Sequence, residues 1–375
     1  MPCTVKFWNE QLTMTDKQKS RKTETTALVC LALFTFAVTV LSLTVFMETG
    51  FHADLDYLIA LQDFRNRCPE LLNDFFLFIT HFGSAKFVLP AVLVIYFGFS
   101  TRLGKFLVQI SAFSIMVNGL LKLTVCAFRP WFRDELIVPA GNAIRGATGY
   151  SFPSGHSTIA TALYGGIIIK TRKHSKAMAT AAAAILLCVM FSRNYLGVHT
   201  PQDVIAGLTC TLALILAMQK IFRWMEYGSI SMKKWMFFIF SAAICTACAV
   251  YFEFKTYPVP YDASGSPAAD PAKMILNSYQ GLGCCLGAAA AMIFLHYFNG
   301  YEAENASFIQ RAAMILISSA SAYLLHRGIS HALSDLLAIR YARLAECFII
   351  LFWTFALLPA LAARFGTGTA KKQQR

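Results

Sequence analysis

Two histidines in this chain stand where an imidazole can do chemistry. His199 is followed four residues later by Asp203, which at a helix start lets the carboxylate hold one ring nitrogen and leaves the other free to attack. His156 falls on the first turn of a predicted helix that opens after Pro153. Beside it, the helix start offers unpaired backbone N–H groups, Gly155 lets a ligand approach, and Ser154 can cap the helix or donate its hydroxyl to a phosphate oxygen, the ingredients of an anion cradle. Lys122, Arg129 and Arg193 add cations: the arginine fork suits bidentate phosphate contacts, and lysine supplies a point charge. In-line phosphoryl displacement needs a nucleophile on one side of phosphorus and a proton donor for the leaving oxygen on the other, and the two histidines divide those roles. Each residue also has an ordinary use. A single Lys or Arg near a helix end snorkels, Ser154 reads as an N-cap, and Thr200-Pro201-Gln202-Asp203 reads as a capped helix start with Asp203 as its capping acid. The convergence of all of them at the ends of apolar runs favours one site.

Those runs dominate the chain. Of 375 residues, 57% are hydrophobic and 14% charged, with a mean hydropathy of +0.53, against roughly 25% charged in soluble proteins. Apolar surface on this scale is covered by lipid, so the expected fold is all-α: a polytopic transmembrane helix bundle. Barrel spans alternate apolar and polar residues, and these runs do not. The net charge of +13 does not point to nucleic acid, because the basic residues lie mostly between apolar runs, where they set orientation and meet lipid headgroups. Spans are predicted at 27–47, 80–100, 103–121, 155–170, 177–192, 203–219, 235–251, 280–298, 311–326 and 345–363. Leu71 to Phe82 is also apolar and reads either as an interfacial helix or as part of the second span. Basic clusters in the N-terminal tail, at 100–105, at 170–176, at 220–234 and at the C-terminus all fall on one side, which is cytoplasmic by the positive-inside rule. Arg327, Arg340 and Arg343 fit that map badly, since they fall on the other side.

The order and spacing of three short stretches resemble the signature motifs of the type 2 phosphatidic acid phosphatase family, the integral-membrane lipid phosphatases. They are Lys122 with Arg129-Pro130, Pro153-Ser154-Gly155-His156, and Ser192-Arg193 with His199 and Asp203. Eleven fixed positions match, over about residues 27–219. The resemblance implies a phosphohistidine on His199, oriented by Asp203, with His156 protonating the leaving group. Lys122, Arg129, Ser154, Gly155 and Arg193 would hold the phosphate, water would release it, and no metal or other cofactor would be required.

The expected organisation is therefore a cytoplasmic tail (1–26), a six-helix phosphatase core (27–219) and a four-span C-terminal extension (220–375) of unassigned role. A Pro-, Gly-, Ser- and Asp-rich loop near 256–271 joins spans within the extension. The eleven cysteines form no framework; Cys245 and Cys248 make a CxxC, but inside an apolar run, so most read as small fillers. The expected activity is hydrolysis of a lipid phosphate monoester or diphosphate at the extracytoplasmic surface of a plasma membrane, with unpaired cysteines and short loops fitting a bacterial one. A polyprenyl diphosphate is the first choice of substrate, because Arg133 and Arg145 in the outer loop would suit a second phosphate. Phosphatidic acid, phosphatidylglycerol phosphate and sphingoid phosphates are alternatives, as are phosphoryl transfer to another acceptor and a non-catalytic lipid transporter. The partners expected are the lipid substrate and membrane lipids, with no nucleic acid; the oligomeric state is not readable.

Overall fold

The computed structural model describes residues 30, 34–41, 44, 52–147, 149–226, 230–259, 261, 265, 267 and 269–368. The predicted tail and most of the predicted first span lie outside them. Among the described residues the chain is helical, and the one β feature is an isolated bridge between Tyr261 and Pro267. A helical stretch at 34–41, inside the predicted first span, is followed by α1 (Ala53–Arg67) and α2 (Glu70–Ile79), and α2 tightens into a 3-10 turn at Thr80–Gly83. Next come α3 (Ala85–Val94), α4 (Thr101–Val125) and α5, which runs from Gly155–Ala160 through a π turn into Gly166–Thr171. The rest are α6 (Lys176–Tyr195), α7 (Pro201–Met225), α8 (Ile230–Phe254), α9 (Pro271–Tyr297), α10 (Phe308–Leu336) and α11 (Ile339–Phe352, continuing to Arg364).

Seven of these helices are long and apolar enough to cross a membrane among the described residues, against ten predicted. Of the other three, 27–47 lies mostly outside the described residues, and two differ for physical reasons. The predicted span 80–100 is a pair, Glu70–Gly83 and Ala85–Phe99, bent by 54°. The break is Ser84, whose extended backbone (φ −83°, ψ 149°) cannot continue a helix. Leu71–Phe82 is thus the first limb of that bent element. The predicted span 155–170 is the short α5 with its π turn.

Helix α9 packs against α4, α8 and α11. Its fully buried Cys285, Ala288 and Ala289 are small enough for helix backbones to approach closely, the usual basis of helix association in lipid. The basic loops gather at one end of the bundle: Arg102 pairs with Glu226 at 3.4 Å, and the Lys170 ammonium lies 4.0 Å from the centre of the Phe106 ring. His199 and Asp203 are at the other end, since Asp203 opens α7 and Arg223 closes it. Two of the three misfit arginines are explained here. Arg340 pairs with Glu253 at 2.6 Å and Arg343 with the buried Glu346 at 2.8 Å, so each carries its own counter-charge.

Candidate active site

The ends of α4, α5, α6 and α7 converge on His199. Helix α4 stops at Cys126, a non-glycine residue in the left-handed region (φ 54°) whose N–H returns to the Lys122 carbonyl. That conformation costs roughly 1–2 kcal/mol, and it turns the chain back so that Arg129 points at the site. The Arg129 guanidinium donates to the carbonyls of Gly149 (2.7 Å) and Val198 (2.9 Å) and lies 2.9 Å from His199 Nε2. The Lys122 ammonium donates to the carbonyls of Tyr150 (2.9 Å) and Ser151 (3.1 Å). Arg193, only 3% exposed, donates to Thr80 Oγ1 at 2.6 Å, while its Nε has no partner among the described residues.

Asp203 makes both contacts that its sequence position allows. Its Oδ2 accepts from the Thr200 backbone N–H at 2.9 Å, completing a capping box at the start of α7, and stands 3.2 Å from His199 Nδ1. A proton on Nδ1 satisfies this pair and leaves the Nε2 lone pair facing Arg129. Burial, and then the charges of Arg129, Arg193 and Lys122, hold the His199 imidazole well below its usual range, so the ring is neutral and its Nε2 lone pair is unprotonated, accepting from the Arg129 guanidinium.

Ser154 is fully buried and caps α5, accepting from the Ser157 amide (3.4 Å) and hydroxyl (3.0 Å), while its own N–H donates to the Asp203 carbonyl at 2.9 Å. A side chain on Gly155 would meet nothing nearer than Asn118 Oδ1 at 3.7 Å, so the cradle has open space above it. Gly207 is needed for the opposite reason. A Cβ there would stand 2.9 Å from the Ser154 carbonyl, and its absence lets α7 lie against the cradle. The His156 ring makes no hydrogen bond among the described residues and lies within electrostatic range of Arg193, His199, Arg129 and His81. The His156 backbone seats against Gly83, where a Cβ would come within 2.4 Å of Val189 and 3.2 Å of the His156 carbonyl. All eight expected site residues therefore belong to one cluster.

Several members went unread in the sequence. Ser151 donates to Asp203 Oδ2 and lies 3.3 Å from His199 Nδ1. Asn194 holds the His199 carbonyl at 2.8 Å, and Asn118 reaches Pro153 O and Thr158 Oγ1. Asn118 had a signal, since it stands four residues before Lys122 on one helix face. Thr80 had none, because its contact with Arg193 spans 113 residues. One expectation is corrected. Arg133 is not free for a second phosphate, since its guanidinium donates to both oxygens of the buried Asp54 at 2.6 and 3.2 Å. The Arg145 side chain lies outside the described residues.

A PAP2 superfamily profile matches residues 103–227. The chain is 31% identical over 154 residues to phosphatidylglycerophosphatase B of Bacillus subtilis, covering 38% of this chain and 71% of that protein. This chain belongs to the PAP2 superfamily. It is also similar to an undecaprenyl-diphosphatase of Sulfolobus acidocaldarius, 28% identical over 137 residues, with 36% of this chain and 64% of the relative covered. A crystal structure of a transmembrane PAP2-type phosphatidylglycerolphosphate phosphatase from Bacillus subtilis aligns with 53% of this chain and 96% of its own, at 26% identity and a TM-score of 0.43. As a PAP2 chain of this kind it is a multi-pass membrane lipid phosphatase. Every one of the eight site residues falls within the matched PAP2 segment.

Proposed function

We propose that this PAP2 protein hydrolyses a lipid phosphomonoester through a phosphohistidine on His199, on the extracytoplasmic side of a bacterial plasma membrane. The observation that carries the reading is the His199 imidazole itself, tethered at Nδ1 by Asp203 and presenting Nε2 to a cation cluster. In the first half-reaction the Nε2 lone pair forms an N–P bond as the ester P–O bond breaks, and His156 gives its proton to the departing lipid oxygen. Water then attacks phosphorus, His156 takes its proton, the N–P bond breaks and inorganic phosphate leaves. Lys122, Arg129 and Arg193, with the amides at the start of α5, neutralise the equatorial oxygens. The side is supported by the basic loops at the opposite end of the bundle, which resist translocation.

The substrate preference differs from the first sequence expectation. Arg133 is spent on Asp54, so the cations around His199 serve one phosphoryl group, and the name of the Bacillus relative points the same way. Phosphatidylglycerol phosphate is the leading candidate. A polyprenyl diphosphate is the second reading, favoured by the name of the archaeal relative. Phosphate release from a panel of purified lipids separates them: kcat/KM is expected to be at least about tenfold higher for monophosphates, a gap of about 1.4 kcal/mol in transition-state binding, and a preference for diphosphates would reverse the assignment. Isotope-labelled phosphate is expected in inorganic phosphate, whereas label on an organic acceptor would indicate transfer.

The acid limb of the pH profile follows from His199. Attack needs the neutral ring, and burial among cations makes protonation harder, so the free enzyme keeps its nucleophile as pH falls below the ordinary histidine range. The acid limb of kcat/KM, corrected for the substrate's own ionisation by phosphorus NMR in the same micelles, is expected below about pH 6.5. An acid limb assigned to the enzyme above that value would contradict a neutral nucleophile.

A further inference from the structure

At the end of the bundle away from His199, where the phosphatase helices meet the C-terminal ones, there is a cavity of about 300 Å³. Helices α4, α7, α8 and α9 all contribute to its wall, with Tyr96 from the π turn that closes α3. Much of the lining is apolar, with Phe222 and Met292 among it, but two features do not suit a purely apolar void. Lys105 and Lys234 both reach it, and no hydrogen bond or ion pair among the described residues holds either ammonium. The nearby carboxylates are engaged elsewhere: Glu226, on the cavity wall, with Arg102 at 3.4 Å, Glu304 with the Ser100 hydroxyl at 2.7 Å, and Glu302 with the Asn305 amide at 2.7 Å. Deeper burial brings the second feature. Tyr96 and Gln109 are 1% and 4% exposed, and Tyr96 Oη and Gln109 Oε1 have no partner among the described residues. Buried polar atoms are nearly always satisfied, so this pair calls for an occupant.

We infer that this cavity binds one anionic phospholipid whose headgroup carries hydroxyls, at a site separate from the catalytic one. The phosphate sits between the Lys105 and Lys234 ammonium groups, a headgroup hydroxyl donates to Gln109 Oε1, Tyr96 Oη donates to an oxygen of the lipid, and acyl carbons follow the apolar wall. Lys105 and Lys122 lie on the same helix, 17 residues apart, which puts this site roughly 26 Å from the catalytic cations at 1.5 Å per residue. Helices α4, α7 and α9 each reach from the cavity to the catalytic end, so the two sites share helices but no residue.

Native mass spectrometry of the full-length protein in detergent tests this, with dioleoylphosphatidylglycerol, dioleoylphosphatidylcholine and inorganic phosphate as probes. The wild type is expected to retain one phosphatidylglycerol about tenfold more tightly than phosphatidylcholine, the order of effect for two lysines on an anionic headgroup. Lys105→Gln with Lys234→Gln is expected to abolish that preference while leaving hydrolysis of a short-chain soluble lipid phosphate intact. Ala291→Phe, which fills the apolar part, is expected to lower retention of both lipids. Equal retention of phosphatidylglycerol in wild type and the double variant would overturn the proposal, as would equal retention of the two lipids by the wild type. Displacement by millimolar inorganic phosphate alone would also overturn it, in favour of a free-phosphate site.

Discussion

His199→Ala is expected to lower phosphate release by about 10³-fold or more, because it removes the imidazole that is tethered by Asp203 and faces the cations. The variant should still fold. The His199 carbonyl stays held by Asn194 at 2.8 Å, and the Thr200–Asp203 capping box that starts α7 does not involve the imidazole. Deleting the ring leaves a small void lined by polar groups that water can fill, so its cost falls within the range of ordinary substitutions. Initial rates on a micellar lipid phosphate, together with a thermal unfolding scan, check both halves. Turnover within tenfold of wild type in a folded His199→Ala protein would sink the phosphohistidine reading. Labelled phosphate should also be trapped on the wild-type protein by acid-free quenching and should be absent from the variant.

Arg129→Lys should cost about 10²-fold in kcat/KM, even though it keeps the charge. Arg129 does three things at once: it holds the Gly149 and Val198 carbonyls, it faces His199 Nε2 at 2.9 Å, and it lies 5.9 Å from the Trp131 ring centre. A lysine has one nitrogen and no planar fork, so it can serve one of these partners but not the set. Oriented donors at the position where phosphoryl charge develops typically contribute about 10²–10³ in rate. The carbonyl left without a donor adds about 1–3 kcal/mol of instability. A kcat/KM loss mostly in KM, with an unchanged unfolding temperature, would mean that Arg129 is only a distant attracting charge. A loss mostly in kcat is the result expected from its place beside the nucleophile.

The membrane class and the helical fold were legible in the sequence, because the need to cover apolar runs leaves few architectures. Seven predicted spans correspond to long helices within a few residues at most ends. The eight residues proposed for the site were singled out in the sequence by the resemblance and by spacing together: His199 and Asp203 one helical turn apart, Ser154 to His156 at a helix start. Failures came wherever a contact crosses the chain. The 54° bend at Ser84 depends on how Thr80–Gly83 seats against α6 and the cradle. Arg133 looked like a free loop cation because its partner, Asp54, lies 79 residues away. Arg340 looked misplaced for the same reason, its partner Glu253 lying far back in the chain, whereas Arg343 pairs with Glu346 only three residues on, a local pairing that the sequence reading passed over. The resemblance stopped near residue 219 and left the extension unread, yet Met274 and Pro258 from that part contact Tyr150 beside the cradle, at 3.1 Å from its amide nitrogen to Met274 Sδ and through the Tyr150 hydroxyl to the Pro258 carbonyl.

Local order along the chain was enough to specify which groups can do phosphoryl chemistry and that lipid surrounds them, since spacing on a helix and hydrophobic content are short-range properties. Folding in three dimensions decided which cations remain free to meet a phosphate, which nitrogen of His199 faces them, and where a second basic pocket opens. Apart from the local Asp203 tether on Nδ1, those outcomes depend on partners distant in the chain, such as Arg129 for His199 and Asp54 for Arg133, whose pairing is set by helix packing and leaves no periodic trace in the sequence.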